Sequence, residues 1–207
     1  MKKNILFVLL FAISTLIRAQ NSEISFGIKG GYSLSNMKIS DTSLDSKSFF
    51  YIGAVAEKPL SSKVGLQAEL LYTQLGGKFT YPLIQLIGNE IVNAGNVDVH
   101  FQLNQLQIPI SVKYYFIPNF SASAGLNFGF NLSKKAKSEM LYTESYTEDL
   151  DFAKTLNIFP FLGLEYKINQ KFFVDARYNF NFIEINKSNT IPTKIGFLQA
   201  GVGYRFK

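Results

Sequence analysis

Nine charged side chains stand at alternate positions of otherwise apolar segments, and they are the groups of this sequence best placed to do chemistry. They are Lys29, Glu57, Glu69, Lys113, Glu165, Lys167, Asp175, Arg177 and Arg205. Charges enclosed away from bulk water must pair or be hydrated. We interpret them as salt bridges that stiffen the fold, with a proton or ion path as the alternative. The structural charge network is predicted to contain Glu69, Lys113, Asp175, Arg177 and Arg205.

Catalytic chemistry has few candidates. The chain has no cysteine and one histidine, His100, so thiolate metal sites, cysteine nucleophiles and multi-histidine centres are excluded. His100 follows Asp98, and a lipid hydrolase could combine a histidine with a serine and an acid. No serine lies in a recognisable nucleophile elbow. We therefore assign no catalytic residue, cofactor or metal ligand, and we interpret His100 as a polar loop residue.

The stretch 133–153 is a further candidate for ion binding. Its second half carries Glu139, Glu144, Glu148, Asp149 and Asp151. Carboxylates of this kind can bind calcium or the cations that bridge lipopolysaccharide. The regular ligand spacing of a dedicated calcium loop is missing, so a solvated surface loop is the preferred interpretation.

The N-terminus indicates export. Lys2 and Lys3 precede the apolar run 5–13, and a more polar stretch ends in Ala19, which is the layout of a secretory signal peptide. We predict a signal peptide at 1–19 and one domain at 20–207. Removing Lys2, Lys3 and Arg18 with the signal lowers the formal net charge from +6 to +3. Because exported proteins rarely meet nucleic acid, no nucleic-acid partner is expected.

In the rest of the chain apolar and polar residues alternate strictly, and they do not follow the 3.6-residue period of a helix. It is cleanest in 119–132, 171–183 and 198–206, and this period of two predicts strands. Less regular segments bring the number of predicted strands to eight: 24–34, 48–58, 63–75, 101–116 and 154–168. Short turns at 59–62, 117–119 and 169–170 alternate with longer polar loops at 35–47, 76–100, 133–153 and 185–193. This pattern predicts an all-β fold, an eight-stranded antiparallel up-and-down transmembrane β-barrel with short periplasmic turns and longer extracellular loops. The second loop contains the apolar run 83–87, for which two alternatives stay open: it extends the hairpin above the membrane, or it folds over the mouth of the barrel, and either could make it an adhesive patch.

A soluble barrel of the lipocalin kind, with the apolar face inside, is the rival fold. Its narrow interior would be overfilled by five to seven apolar residues per strand, many of them bulky. The polar face, in contrast, carries nine of the 15 glycines, which relieve crowding in a narrow interior. Aromatic residues also gather beside the short turns, as at a membrane interface. We therefore expect the apolar face to contact lipid and the protein to reside in the outer membrane.

Five segments resemble the PorT-like outer-membrane β-barrel proteins of Gram-negative bacteria. They are FGIKGGYSLSNM (26–37), GLQAELLYTQLGGKF (65–79), LQIPISVKYYF (106–116), DARYNF (175–180) and GVGYRF (201–206). The resemblance covers nearly the whole mature chain and implies an eight-stranded outer-membrane barrel. It does not imply one function, although a few members serve in protein secretion or surface assembly. One departure is Lys207, which follows Phe206 where such barrels usually end on an aromatic residue.

Three classes of function follow from this fold. We expect a non-enzymatic barrel that acts through its extracellular loops or docks onto envelope or secretion machinery. The alternatives are a narrow passive channel and an outer-membrane lipid-modifying enzyme. The expected partners are outer-membrane lipid and other envelope or secretion proteins, and the protein is expected to be a monomer.

Overall fold

The computed structural model describes residues 24–40, 42–88, 90–140, 143–150, 153–186 and 192–206. They form ten strands: β1 (Ser25–Ile39), β2 (Thr42–Ser43), β3 (Asp45–Pro59), β4 (Val64–Ile87), β5 (Glu90–Ile117), β6 (Phe120–Met140), β7 (Thr143–Asp149), β8 (Leu156–Lys167), β9 (Phe172–Asn179) and β10 (Thr193–Arg205). The described residues include no helix that is long and apolar enough to cross a membrane. The predicted signal peptide, 1–19, lies outside the described residues.

Eight of these strands close into a ring. The order β10-β9-β8-β6-β5-β4-β3-β1 is completed by antiparallel pairing of β1 with β10. β2 and β7 are short strands that pair with β1 and β6. The prediction of an eight-stranded antiparallel barrel is thereby confirmed. We call the end with the connections 60–63, 118–119 and 168–171 the turn end, and the opposite end the hairpin end.

The register determines the width of the ring. Directly paired residues lead once around it from Ser121 through Glu165, Asp175, Gly201, Gly31, Tyr51, Thr73 and Gln105 to Asn131. The path returns to β6 ten residues further along, from 121 to 131, so the shear is ten. Eight strands with this shear tilt by about 40° and enclose a backbone radius of about 8 Å. Side chains alone are large enough to fill such an interior.

The outer face carries the apolar half of the alternation. Large side chains there are strongly exposed, as at Phe50 (71%), Ile52 (67%) and Leu162 (56%). At the turn end, aromatic rings contact one another along the surface, with centroids 5.2 Å apart in Tyr114–Phe116 and 5.8 Å in Phe116–Phe120. We call this outer surface the apolar band. Its outward orientation excludes the lipocalin-like arrangement.

On several strands the apolar band stops at a polar residue near the hairpin end. On β1, Leu34 is followed on the same face by Asn36, and on β4, Tyr72 is followed by Gln74. The strands continue beyond this level, where neither face has to contact lipid.

Three predicted loops are therefore wrong in their secondary structure. Within 35–47, β1 continues to Ile39, Thr42–Ser43 form β2, and β3 begins at Asp45. The stretch 76–100 is a continuation of β4 and β5, which stay paired from Gly76↔Gln102 to Ile87↔Glu90. Most of 133–153 is the hairpin of β6 with β7. Polar residues on both faces conceal the period of two there. Conversely, β9 is shorter than the predicted 171–183, because the ladder ends at Asn179 and the chain is irregular at 180–185.

Close packing inside the ring requires glycine at particular positions. A Cβ atom at Gly203 would overlap the ring of Phe173, and Phe173 in turn lies 4.5 Å beneath the guanidinium of Arg205. The ring cannot move outward because β9 and β10 are directly paired at Gly203↔Phe173.

We predict that Gly203→Ala lowers the free energy of unfolding by about 1–3 kcal/mol, because overpacking forces the Phe173 ring off its position. The measurement is the denaturant midpoint of the heat-modifiable gel shift in detergent. Val202→Ala on the outward face of the same strand serves as the control and should change the midpoint far less. Equal effects of the two changes would contradict this packing argument.

Candidate functional site

Four charges of alternating sign form a lower charge cluster near the turn end: Glu57, Lys113, Glu165 and Arg205. Lys113 Nζ lies 2.7 Å from Glu57 Oε2 and 2.8 Å from Glu165 Oε2. Arg205 Nη2 lies 2.6 Å from Glu57 Oε2 and 2.9 Å from Glu165 Oε1. Each base thus bridges both acids across the interior from β3, β5, β8 and β10. All four side chains are buried, so the charges neutralise one another.

An upper charge cluster lies one layer closer to the hairpin end and consists of Lys29, Glu69, Asp175 and Arg177. Arg177 Nη2 donates to both carboxylate oxygens of Glu69 at 2.6 Å. Lys29 Nζ lies 3.4 Å from Glu69 Oε2 and also pairs with Asp175, and Arg177 lies 3.4 Å from Asp175. Two acids again face two bases.

The predicted network is thus brought together in two groups rather than one. Glu69, Asp175 and Arg177 share the upper charge cluster, whereas Lys113 and Arg205 lie in the lower one. The sequence prediction left Lys29, Glu57 and Glu165 outside the centre of the network. Their positions depend on how far each strand is staggered against the next, and the alternation of residue types does not specify that stagger.

Aromatic rings on the inner face support the cations. Arg177 lies 5.1 Å from the centroid of Phe161, and Lys29 lies 5.6 Å from that of Tyr51. The electron-rich face of a ring attracts a cation and excludes water from one side of it.

A neutral amide layer follows above the charges. It comprises the buried side chains of Gln105, Gln107, Asn127, Asn131, Asn157, Asn179 and Gln199. Gln105 Nε2 donates to Asn131 Oδ1 at 2.8 Å, and Gln107 Nε2 donates to Gln105 Oε1 at 3.0 Å. Asn127 donates to Asn179 at 3.1 Å. Amides can donate and accept at once, so they link strands without adding charge.

The hairpin end of the interior is closed by an apolar plug. Its buried members are Met37, Leu44, Leu75, Leu103, Leu150, Ala153, Phe159, Ile185, Ile195 and Phe197. Leu44, Leu150, Ala153 and Ile185 come from the segments that connect strands, so the connections fold over the mouth. Sequence reasoning missed this plug because it treated every inward position as polar. The signal was present in Leu75, Leu103 and Phe197, which are in phase with the polar set.

Open space reaches this interior from the turn end. Two adjoining cavities of about 460 and 550 Å³ share Glu57, Pro59, Pro118 and Lys167 in their walls. Lys167 Nζ lies 3.9 Å from Glu57 Oε1, and Tyr115 donates a hydrogen bond to the same oxygen. The cavities end at the lower charge cluster, beyond which the interior is packed with paired side chains.

The structure gathers no catalytic or metal-binding set within the described ranges. His100 lies on β5 with Nδ1 3.3 Å from Lys47 Nζ, and the stretch around it belongs to a strand rather than to the predicted loop. No group of three His, Asp or Glu side chains able to hold a metal ion is found among the described residues. Glu148 and Asp149 of the proposed cation site lie exposed on β7.

Sequence comparison identifies the family of this fold. Residues 18–187 match the outer membrane protein beta-barrel domain. The chain belongs to this family. The protein accordingly resides in the bacterial outer membrane. Its turn end faces the periplasm, and its hairpin end faces the outside of the cell. No curated protein matches the sequence.

Solved structures similar to this chain are small outer-membrane barrels. One is Ail, the attachment invasion locus protein of Yersinia pestis in complex with the heparin analogue sucrose octasulfate. It has 19% identity and a TM-score of 0.53, and the match covers 89% of this chain and 99% of Ail. Another is Neisserial surface protein A, with 16% identity, a TM-score of 0.51 and coverage of 89% and 99%. At these identities the likeness shows the fold.

We predict that Arg177→Ala and Glu69→Ala each lower the free energy of unfolding by about 3–5 kcal/mol, because each strands a buried partner charge. The gel-shift midpoint in denaturant measures this loss. The matched control is the double variant Arg177→Met with Glu69→Met, which removes both charges and should lose less than the two single changes added together. Single variants as stable as the parent barrel would contradict a structural role for this pair.

Proposed function

We propose that this protein is a non-enzymatic outer-membrane barrel that binds a partner through its extracellular hairpins. The observation that carries the proposal is the projection of β4 and β5 far beyond the apolar band. Their tip exposes Ile84 (63%) and Ile91 (75%), although no lipid surrounds them at this height. Ile91 is directly paired with Leu86, which lies two residues along β4 from Ile84. Because alternate residues of a strand share a face, Ile84 and Ile91 lie on the same face of the hairpin. Exposed apolar side chains clustered above the membrane are typical of a protein-binding surface.

The hairpin also offers backbone groups to a partner. β3 stays paired with β4 only as far as Asp45↔Lys78, and from Phe79 onward β4 pairs with β5 alone. The other edge of β4 therefore presents N–H and C=O groups that an extended segment of another protein could pair with. Within that edge Pro82 lacks an N–H, which restricts pairing at this point.

Polar contacts hold the base of this hairpin. Lys78 Nζ lies 2.8 Å from Asp98 Oδ2, and Thr80 Oγ1 donates to Asp98 Oδ1 at 2.6 Å. These two hydrogen bonds hold the pKa of Asp98 below its ordinary value. A carboxylate with a lowered pKa stabilises the fold at neutral pH, and this contribution disappears as the pH falls through that pKa. The contacts of Asp98 with Lys78 and Thr80 therefore help to hold the lower part of the hairpin at neutral pH.

The interior supports this assignment over a channel. Both charge clusters are paired, and the amide layer and the apolar plug lie between them and the outside. An ion that crossed would have to break ion pairs and then pass an apolar constriction. A lipid-modifying enzyme has less support, because the sequence has one histidine and no serine in a recognisable nucleophile elbow.

Within the family we further infer a PorT-like chain. The segments FGIKGGYSLSNM and GVGYRF support this, because they provide the two strands, β1 and β10, that close the ring. The corresponding partner class is an envelope or secretion protein that meets a monomeric barrel at the outer surface.

We predict that the hairpin tip is required for partner binding and dispensable for the barrel. Residues 82–96 are replaced by Asn-Gly, a favoured two-residue turn, so that Tyr81 and Val97 remain paired. A photo-crosslinking side chain at Ile84 of the unshortened protein should form a discrete adduct in whole cells, and the same label at lipid-facing Phe50 should not. The shortened protein should still show heat-modifiable mobility.

The matched control for this experiment shortens the other hairpin, with 139–145 replaced by Asn-Gly. Both shortened proteins should assemble equally well, and binding of the captured partner should fall at least tenfold only when 82–96 is missing. Adducts that form equally at Ile84 and Phe50, or a shortened tip that binds normally, would refute the proposal.

We also predict that the purified protein is silent in planar bilayers. The paired charges and the apolar plug obstruct the part of the interior that the structure describes, so no steady conductance is expected at neutral pH. Removing plug residues by Phe197→Ala with Leu103→Ala is the matched comparison and should produce transient openings. Steady openings of porin size in the unchanged protein would favour the channel instead.

A further inference from the structure

The turn end of the barrel contains open space that the partner-binding function does not use. Two adjoining cavities of about 460 and 550 Å³ open there toward the periplasm, and we call them together the periplasmic vestibule. Its floor is the lower charge cluster, and the turns 60–63, 118–119 and 168–171 contribute to its walls. Concave spaces of a few hundred cubic ångströms with a few convergent polar groups are typical of ligand sites.

The turns around the vestibule are held in shape by their own side chains. Ser61 Oγ accepts a hydrogen bond from the backbone N–H of Val64 at 3.1 Å, and Asn169 Oδ1 accepts one from that of Phe172 at 2.8 Å. These bonds use acceptor oxygens, so the hydroxyl hydrogen of Ser61 and the amide N–H groups of Asn169 can still donate. A rim that is ordered in advance lowers the entropic cost of binding a ligand.

The charges that face the vestibule leave an excess of positive charge. The lower charge cluster is neutral by itself, because two acids face two bases. Lys167 is a further charge beside it, and its side chain is 26% exposed, whereas that of Lys113 is 1% exposed. Lys63 adds another base to the wall. Glu57 is the one acid among the described residues that line the vestibule, and it belongs to the neutral cluster.

Lys167 is the base best placed to meet an anionic ligand. Its Nζ lies 3.9 Å from Glu57 Oε1, which is beyond hydrogen-bond distance, and that oxygen already accepts the hydrogen bond of Tyr115. The centroid of the Tyr115 ring lies 4.9 Å from the same Nζ. An ammonium group has three N–H donors, and attraction to a ring face does not require a directed hydrogen bond. Lys167 can therefore donate to a ligand while it keeps both of these contacts.

We propose that the periplasmic vestibule binds the C-terminal carboxylate of a periplasmic protein chain, with Lys167 donating to the carboxylate oxygens. One ammonium group near the floor matches a ligand group with one negative charge. Beside it, Pro59, Tyr115 and Ile117 form an apolar wall, which suits an apolar last side chain. The hydroxyl and amide donors of the rim can meet the backbone carbonyls of the preceding residues. The proposal goes beyond the partner-binding function, because it concerns the opposite end of the barrel.

The test uses the barrel 20–207 in nanodiscs of phosphatidylcholine, where both ends of the barrel are accessible. The probe is a fluorescent peptide, Gly-Ser-Gly-Ser-Val-Leu, with a free C-terminal carboxylate, and its matched probe carries a C-terminal amide instead. Fluorescence anisotropy should show that the free acid binds about tenfold more tightly than the amide, because only the acid forms a charge-assisted hydrogen bond with Lys167. Lys167→Gln should remove this difference, and Lys167→Arg, which keeps the charge, should preserve most of it.

Two further variants locate the binding site. Lys58→Gln removes a base from the same end of the barrel, but Lys58 follows the inward Glu57 on β3 and therefore faces outward, so this variant should bind like the unchanged protein. Ser62→Trp places a large ring at the rim and leaves every charge in place, and it should weaken binding of the free acid about tenfold. It tests the proposal even where Lys167→Gln does not assemble. Heat-modifiable mobility establishes that each variant is folded.

Competition with other anions separates a chain end from a less specific ligand. Unlabelled peptide acid should displace the probe at lower concentrations than inorganic phosphate or decanoate. Equal affinity for the acid and the amide, an equal loss with Lys58→Gln, or unchanged binding by Ser62→Trp would overturn the proposal. Displacement by phosphate or decanoate at concentrations below that of the peptide acid would also overturn it, because the vestibule would then be a general anion site or a fatty-acid site.

Discussion

The structure depends on the pairing of β1 with β10. Within lipid every backbone N–H and C=O must find a partner in the protein, and a sheet satisfies this only when its first and last strands meet. Thirteen residue pairs, from Gly27↔Arg205 to Ile39↔Thr193, make this closure. Because the two strands lie at opposite ends of the sequence, the fold is complete only when the last segment has been placed. This ladder completes the circuit of eight strand registers from which the width, stagger and enclosed volume of the barrel follow.

The narrow ring that results determines the chemistry of the interior. An inner surface only a few side chains wide cannot keep nine charges separately hydrated, so they pair across the axis. β10 shows the complete gradient at its inward positions, which are Arg205, Gly203, Gly201, Gln199, Phe197 and Ile195. Two glycines lie where Phe173 and Tyr51 cross the interior from β9 and β3. From the turn end to the hairpin end, the inward positions of β10 are thus charged, small, amide-bearing and then apolar. Residues of neighbouring strands at the same level are of the same type and pack against them.

The alternation of residue types was sufficient to predict the barrel, its strand number and its lipid-facing side. A period of two persists wherever one face must be apolar, as in 119–132, which lies within β6 apart from its first residue. It fails above the membrane, where 76–100 has no constraint on either face. The extended hairpin there was raised only as one of two options for the apolar run 83–87, and the hairpin of β6 with β7 was not predicted. The charged residues inside the ring could be predicted as a set, but the sequence did not show which acid pairs with which base. Arg177 reaches Glu69 across 108 positions of sequence, and only the stagger of the strands brings them together.

Because β4 and β5 project beyond the ring, the free energy of opening differs between the projecting hairpin and the strands inside the ring. Inside the ring each strand has two neighbours and a filled interior, so its hydrogen bonds break only with the whole barrel. Beyond Val97↔Met140 each strand of the hairpin is paired only with the other, since β3 has ended its pairing at Lys78 and β6 ends at Met140. Local opening can therefore begin at the tip and stop at the level where the apolar plug is packed. The extracellular part of the β4–β5 hairpin is in this sense a separate cooperative unit. It can change its conformation on binding a partner while the barrel in the membrane stays closed.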